Sequence, residues 1–169
     1  RRPQGVTVFK IPDVCPVCGS KTMREADTAN IICTSASCPA ARVRNLIHFV
    51  SREAMDIKGL GTRAIARLED EGYISDVADL YELNKYRDEL IQKGIVGKEK
   101  NTDKLLASIE ASKDNSADKL LSGLGILNVG RSAARTLMKT FDSIINLMNA
   151  SLEELVLVPD IGEVSARCI

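Results

Sequence analysis

Tryptophan is absent from this sequence of 169 residues, aromatics amount to 4%, and His48 is the single histidine. A core so poor in rings has to be built from Leu, Ile, Val and Ala, which suits small, closely packed helices. No apolar run approaches the ~20 residues that span a bilayer. No basic segment followed by an apolar one opens the chain in the manner of a secretory signal. These absences speak against a membrane helix, and the expectation is a cytoplasmic protein. Net charge is lacking too: 23 basic residues face 23 acidic ones. Taken whole, that balance argues against a polyanionic partner. The total hides an asymmetry. Residues 1–67 hold 11 Lys/Arg and 5 Asp/Glu, and residues 68–169 hold 12 and 18, so the first part carries +6 and the second −6.

What is present begins with cysteine. Four of the five cysteines form two knuckles, Cys15-Pro-Val-Cys18 and Cys33-Thr-Ser-Ala-Ser-Cys38, fourteen residues apart. In a chain without a secretory signal, that spacing reads as a Zn²⁺ site and not as disulfides. Four thiolates close the tetrahedral shell and leave no open position for catalysis, so the expected role is structural. Segments 21–24 and 30–32 read as two short strands between the knuckles. They hold too few apolar residues to fold unaided, and metal binding worth roughly 10–16 kcal/mol in small zinc peptides can carry such a fold. The fifth cysteine, Cys168, reads as a packing residue. Before the knuckles, Val6 and Val8 alternate as in a short strand, and opening at Arg1 without Met points to a piece of something longer.

Pro39 stands at the natural first position of a helix, with Val43, Leu46, Ile47 and Val50 as its apolar stripe. Arg42, Arg44 and Arg52 lie elsewhere on that helix, either facing phosphates or simply solvated. His48 reads as a surface or packing residue. The remainder is helical: Ser75 is expected to cap a short helix carrying Val77, Leu80 and Tyr81, Asn101 or Thr102 to cap the helix of Leu105, Leu106 and Ile109, and Ser151 with Glu154 to form a capping box.

Glycine corners recur through this helical part, near 59–61, 94–97, 128–130 and 159–162. Their closing glycines, Gly61, Gly97, Gly130 and Gly162, are 36, 33 and 32 residues apart. Such a period marks a repeated supersecondary unit, read here as helix, tight hairpin, helix. The first helical N–H groups lack internal partners and sit at the positive end of the helix dipole, so a corner of this kind favours a phosphate. Backbone donors do not read bases, so binding is expected to ignore sequence. The candidate contacts are Gly59, Leu60, Gly61, Thr62 and Arg63 at the first corner, Gly97 at the second, Asn128, Val129, Gly130, Arg131 and Ser132 at the third, and Gly162 at the fourth. The second corner has Lys98 and Lys100 but a less regular helix after it. The fourth carries Asp160 where glycine is expected, followed by Glu163, and two carboxylates would repel a phosphate.

CPVCGS…CTSASCPA, the GLG corner, LLASIEASK and LGILNVGRSAARTL together resemble the bacterial NAD-dependent DNA ligases, from about Phe9 to Ile169. The resemblance implies a mainly α fold. Residues 1–12 would be the end of an oligonucleotide-binding domain and its linker, 13–40 the four-cysteine zinc finger with its β-hairpin, and 41–169 the helix-hairpin-helix domain, its fourth hairpin truncated. It implies nicked duplex DNA as partner, sealed in replication and repair, and a parent enzyme that uses NAD to adenylate a Lys-x-Asp-Gly lysine and works with Mg²⁺. That motif is missing from these 169 residues, so the expectation is DNA binding without catalysis, and no catalytic residue is assigned. An accessory module of a repair nuclease or topoisomerase, and a protein–protein scaffold, are the competing readings.

Overall fold

The computed structural model describes residues 12–24, 29–35 and 37–169. The strand expected through Val6 and Val8 lies outside them. The chain divides into two compact units, Arg1–Arg42 and Val43–Ile169.

The first unit is a small antiparallel hairpin. Strand β1, Thr22–Arg24, pairs with β2, Ile31–Cys33, in the register Thr22 to Cys33, Met23 to Ile32 and Arg24 to Ile31. Val14 bridges Lys21, and the Thr22 amide donates to the Asp13 carbonyl at 3.0 Å. Among its described residues this unit has no apolar interior. Val14, Val17 and Met23 are more than half exposed, and among its described residues only Cys15 and Cys38 are buried.

Helix α1, Pro39–Val50, begins straight after Cys38, whose carbonyl accepts the amides of Ala41 and Arg42 at 3.0 Å each. Of its expected stripe, Leu46 and Val50 are buried, while Val43 and Ile47 pack at the edge of the core. The apolar face also includes Phe49, which is 1% exposed and which the expected stripe omits.

The second unit continues with α2 (Thr62–Asp70), a 3-10 helix (Asp79–Tyr86), α3 (Arg87–Lys93), α4 (Glu99–Ser112), α5 (Ala117–Gly123), α6 (Arg131–Phe141), α7 (Ile144–Met148), α8 (Leu152–Val156) and α9 (Glu163–Ala166). Two apolar clusters form among the described residues. One gathers Leu46, Phe49, Ile65, Leu68, Leu80, Leu83, Leu90 and Leu105. The other gathers Leu121, Val129, Ala134, Leu137, Leu155 and Ile161. Each burial of a Leu or Ile side chain contributes roughly 1.5–3 kcal/mol. The two clusters meet where Gly123 of α5 lies against α1: a Cβ on Gly123 would stand 3.1 Å from Phe49 and 3.3 Å from Ala54. The Asn115 side-chain amide, donating to the Met55 carbonyl at 2.8 Å, ties the same halves.

Three cap expectations resolve differently. The capping box at Ser151 and Glu154 forms with both of its bonds. Ser75 does not cap. Its amide and hydroxyl both donate to the Asp79 carboxylate, at 2.7 and 2.8 Å, so the carboxylate, carrying full charge, wins the donors and the helix starts later, at Asp79. Nor does Asn101 or Thr102 cap α4. The helix starts three residues earlier, from Lys98, and Thr102 is fully buried inside it with its hydroxyl unpartnered.

Candidate metal centre and nucleic-acid interface

The knuckles bring Cys15, Cys18, Cys33 and Cys38 together. Their sulfurs all lie within 4.8 Å of one another, with Cys15 to Cys38 at 3.9 Å and Cys18 to Cys33 at 3.4 Å. A Zn–S length of ~2.3 Å in tetrahedral geometry sets sulfurs about 3.8 Å apart, so the four donors fit Zn²⁺. Local backbone builds each half. Cys15 donates its amide to the Ser20 carbonyl at 2.7 Å and accepts the Gly19 amide at 2.9 Å, which folds the first knuckle back on itself. The Ser35 amide reaches Cys33 Sγ at 3.4 Å, and Cys38 is fixed by the start of α1. Hydrogen bonds from the Ser20 hydroxyl and amide bring the Cys18 thiol down to about 6. The Ser35 amide also lowers Cys33, but desolvation and the facing thiols outweigh it and push Cys33 up to about 12. Without a cation the cluster resists holding four negative charges. A divalent ion removes that conflict and, once bound, cross-links the knuckles with no coordination position left for a substrate.

The glycine corners are the second candidate site. The first, third and fourth share one backbone. A left-handed residue comes first: Gly59 (φ 98°), Asn128 (φ 64°) and Asp160 (φ 64°). A buried apolar residue follows, Leu60, Val129 or Ile161. Gly61, Gly130 or Gly162 then starts the helix in extended conformation, at φ −84°, −82° and −82°. Asp160 is therefore the counterpart of Gly59, at a position where Asn and Asp substitute most readily for glycine.

At these three helix starts no side chain caps the first turn. The contrast with α7 and α8 is direct: there Ser143 and Ser151 accept the amides of Asn146 and Glu154. Gly61, Thr62 and Arg63 are exposed, as are Gly130, Arg131, Ser132 and Gly162. Leu60 and Val129, being buried, offer only their backbone. Arg63 makes no ion pair among the described residues, whereas Arg131 lies 3.6 Å from Glu53. Arg67, one turn after Arg63, is committed elsewhere: it pairs with Glu71 at 2.9 Å and donates to the carbonyls of Lys93 and Gly94.

The second corner differs in register. Lys98, not Gly97, takes the helix-start position. Gly97 precedes it at φ 117°, and a Cβ there would stand 2.8 Å from the Asn101 amide nitrogen. At the fourth corner Glu163 is held by Arg167 at 2.6 Å, so its charge is partly balanced within α9.

Residues 14–40 match the family model for the NAD-dependent DNA ligase C4 zinc finger domain. The finger is that of the NAD-dependent DNA ligases. Residues 119–169 match a helix-hairpin-helix motif model, which covers the third and fourth corners. The chain is 48% identical over 161 residues to a DNA ligase of Halalkalibacterium halodurans, covering 95% of this chain and 24% of that protein. It is 47% identical to the DNA ligase of Bacillus subtilis, again over 95% of this chain and 24% of the relative. To the DNA ligase of Macrococcus caseolyticus it is 44% identical over 169 residues, 100% of this chain and 25% of the relative. The chain thus spans about a quarter of the length of the ligases it matches. Among the described residues no helix is long and apolar enough to cross a membrane.

Proposed function

We propose that this chain is the DNA-gripping part of a bacterial, cytoplasmic NAD-dependent DNA ligase, holding duplex DNA on either side of a nick without regard to sequence. The observation that carries this reading is the contrast between helix starts. At α7 and α8 serine closes the first turn. Where glycine stands instead, the amides are open, exposed and undemanding of glycine on internal grounds: a Cβ at Gly61, Gly130 or Gly162 would meet nothing within 4 Å. Bare amides at a helix start suit a phosphate oxygen. The backbone donates them whatever the bases, so the grip does not depend on sequence.

In this reading Thr62, Arg63, Arg131 and Ser132 add side-chain reach to the first and third corners, and the fourth contributes backbone alone. The zinc finger, with Zn²⁺ on Cys15, Cys18, Cys33 and Cys38, is architectural. Adenylation from NAD and Mg²⁺-dependent sealing belong to the rest of the parent enzyme, and the chain's own part is to bind and orient the nicked strand.

Titrating the whole chain with nicked and intact duplexes of unrelated sequence, across a salt series, tests this. With two or three corners each holding about two phosphates, log Kd against log salt is expected to give a slope of roughly −3 to −6, equal for the different sequences. A slope near zero, or strong preference for one sequence, would overturn the proposal.

A further inference from the structure

The groove between α1 and the third corner has a volume of about 460 Å³. Arg44, Asn45 and His48 of α1 form one wall, and Gly125, Val129 and Gly130 form the other. Among the described residues no carboxylate lines it. Arg44 is exposed and makes no ion pair among the described residues. Val129 and the half-buried Ile126 give the floor an apolar patch.

The walls are fixed relative to each other. His48 Nε2 lies 2.9 Å from the Ser122 carbonyl oxygen. A carbonyl only accepts, so Nε2 carries the hydrogen and donates. Gly125 packs beside the ring: a Cβ there would stand in ordinary contact, 3.6 Å from His48 Cδ2. The result is a slot with an exposed cation on one rim, bare amides beside Gly130 on the other, and an apolar base. A single nucleotide unit of a nucleic-acid backbone matches all three: phosphate between the rims, deoxyribose face on the floor.

We infer that this groove seats one backbone phosphate of the duplex with its sugar, and that Arg44 of α1 pairs with the same phosphate that the third corner holds. This rests on the proposed function and extends it, because Arg44 lies on α1, outside the four glycine corners. His48 is a positioning residue, keeping α1 at the distance the phosphate needs.

The test is a double-mutant cycle on the whole chain, read as duplex affinity over a salt series, with thermal melting to confirm the fold. Arg44→Gln is expected to weaken binding about tenfold and to reduce the salt slope by about 1. Arg44→Lys is expected to keep the slope, and Lys139→Gln, at the other end of α6, to leave it unchanged. Groups that share one phosphate couple. Arg44→Gln combined with Gly130→Val should therefore lose less than the product of the single losses, while Arg44→Gln combined with Gly61→Val should lose the full product. An unchanged slope in Arg44→Gln, or full multiplication with Gly130→Val, overturns the inference and leaves the four-corner grip standing. Absence of salt-dependent binding by the unaltered chain overturns both.

Discussion

Two kinds of glycine stand at these corners, and they make opposite predictions. Gly61 and Gly130 have backbone angles that any residue adopts and empty space where a side chain would go. Valine at either is expected to cost about 0.5–1 kcal/mol as a poorer helix start. The same change interposes a side chain before the open amides. Each hydrogen bond to a charged group is worth roughly 1.5–3 kcal/mol, so duplex affinity should fall about 10- to 100-fold. Gly97 is the reverse case. Its φ is 117°, and a Cβ added there would lie only 2.8 Å from the Asn101 side chain. Gly97→Val is therefore expected to destabilise by about 1–3 kcal/mol. Chemical denaturation beside anisotropy titration separates the cases; loss of stability in Gly61→Val matching its loss of affinity would return that glycine to a packing role. Asp79 gives a pH signature at the same scale. The Ser75 amide and hydroxyl, with the Asp76 amide, hold its carboxyl below the ordinary 3.8. A depressed folded value means the stabilisation is complete above about pH 4 and is lost as pH falls through the folded pKa. Stability measured from pH 6 to pH 2 should drop less steeply in Asp79→Asn than in the unaltered chain.

Among elements, the finger and the helix starts follow different rules. The finger's strands bury no apolar side chains, so its thiols must do what a core does elsewhere. Cys33→Ser is expected to release zinc, measured by metal analysis, and to open amide exchange across residues 12–40, while exchange in α2 to α6 stays protected. Stoichiometric zinc retained in that variant would refute a four-sulfur site. The strands and α1 are legible in the sequence because knuckle spacing and Pro39 are local signals. The capping box at Ser151 is legible for the same reason. Ser75, Asn101 and Thr102 mislead because capping is a competition. Asp79 outbids Ser75, and α4 starts from Lys98, which leaves Thr102 buried inside the helix. That start also shifts the register of the second corner, which even glycine spacing conceals.

At the scale of the whole molecule, the second unit is two hairpin pairs joined at the α1–α5 crossing. Gly123 permits that crossing, with Phe49 at 3.1 Å from the missing Cβ. Gly123→Val is expected to cost about 1–3 kcal/mol through overpacking, measured by denaturation, and to weaken duplex binding at the third corner more than at the first. The acidic excess of residues 68–169 is partly absorbed internally, as in Arg87 between Glu99 and Asp103 at 3.1 and 2.7 Å. Such exposed pairs contribute about 0–1 kcal/mol each. The sequence by itself determined the four thiols, the helical class and the period of the corners, since each is written in spacing along the chain. Only tertiary structure decided which glycines are open to a partner, which arginine is already committed, and that α1 borders the third corner. Those properties depend on what lies within a few ångströms across the fold, where residues 74 apart, such as His48 and Ser122, become neighbours.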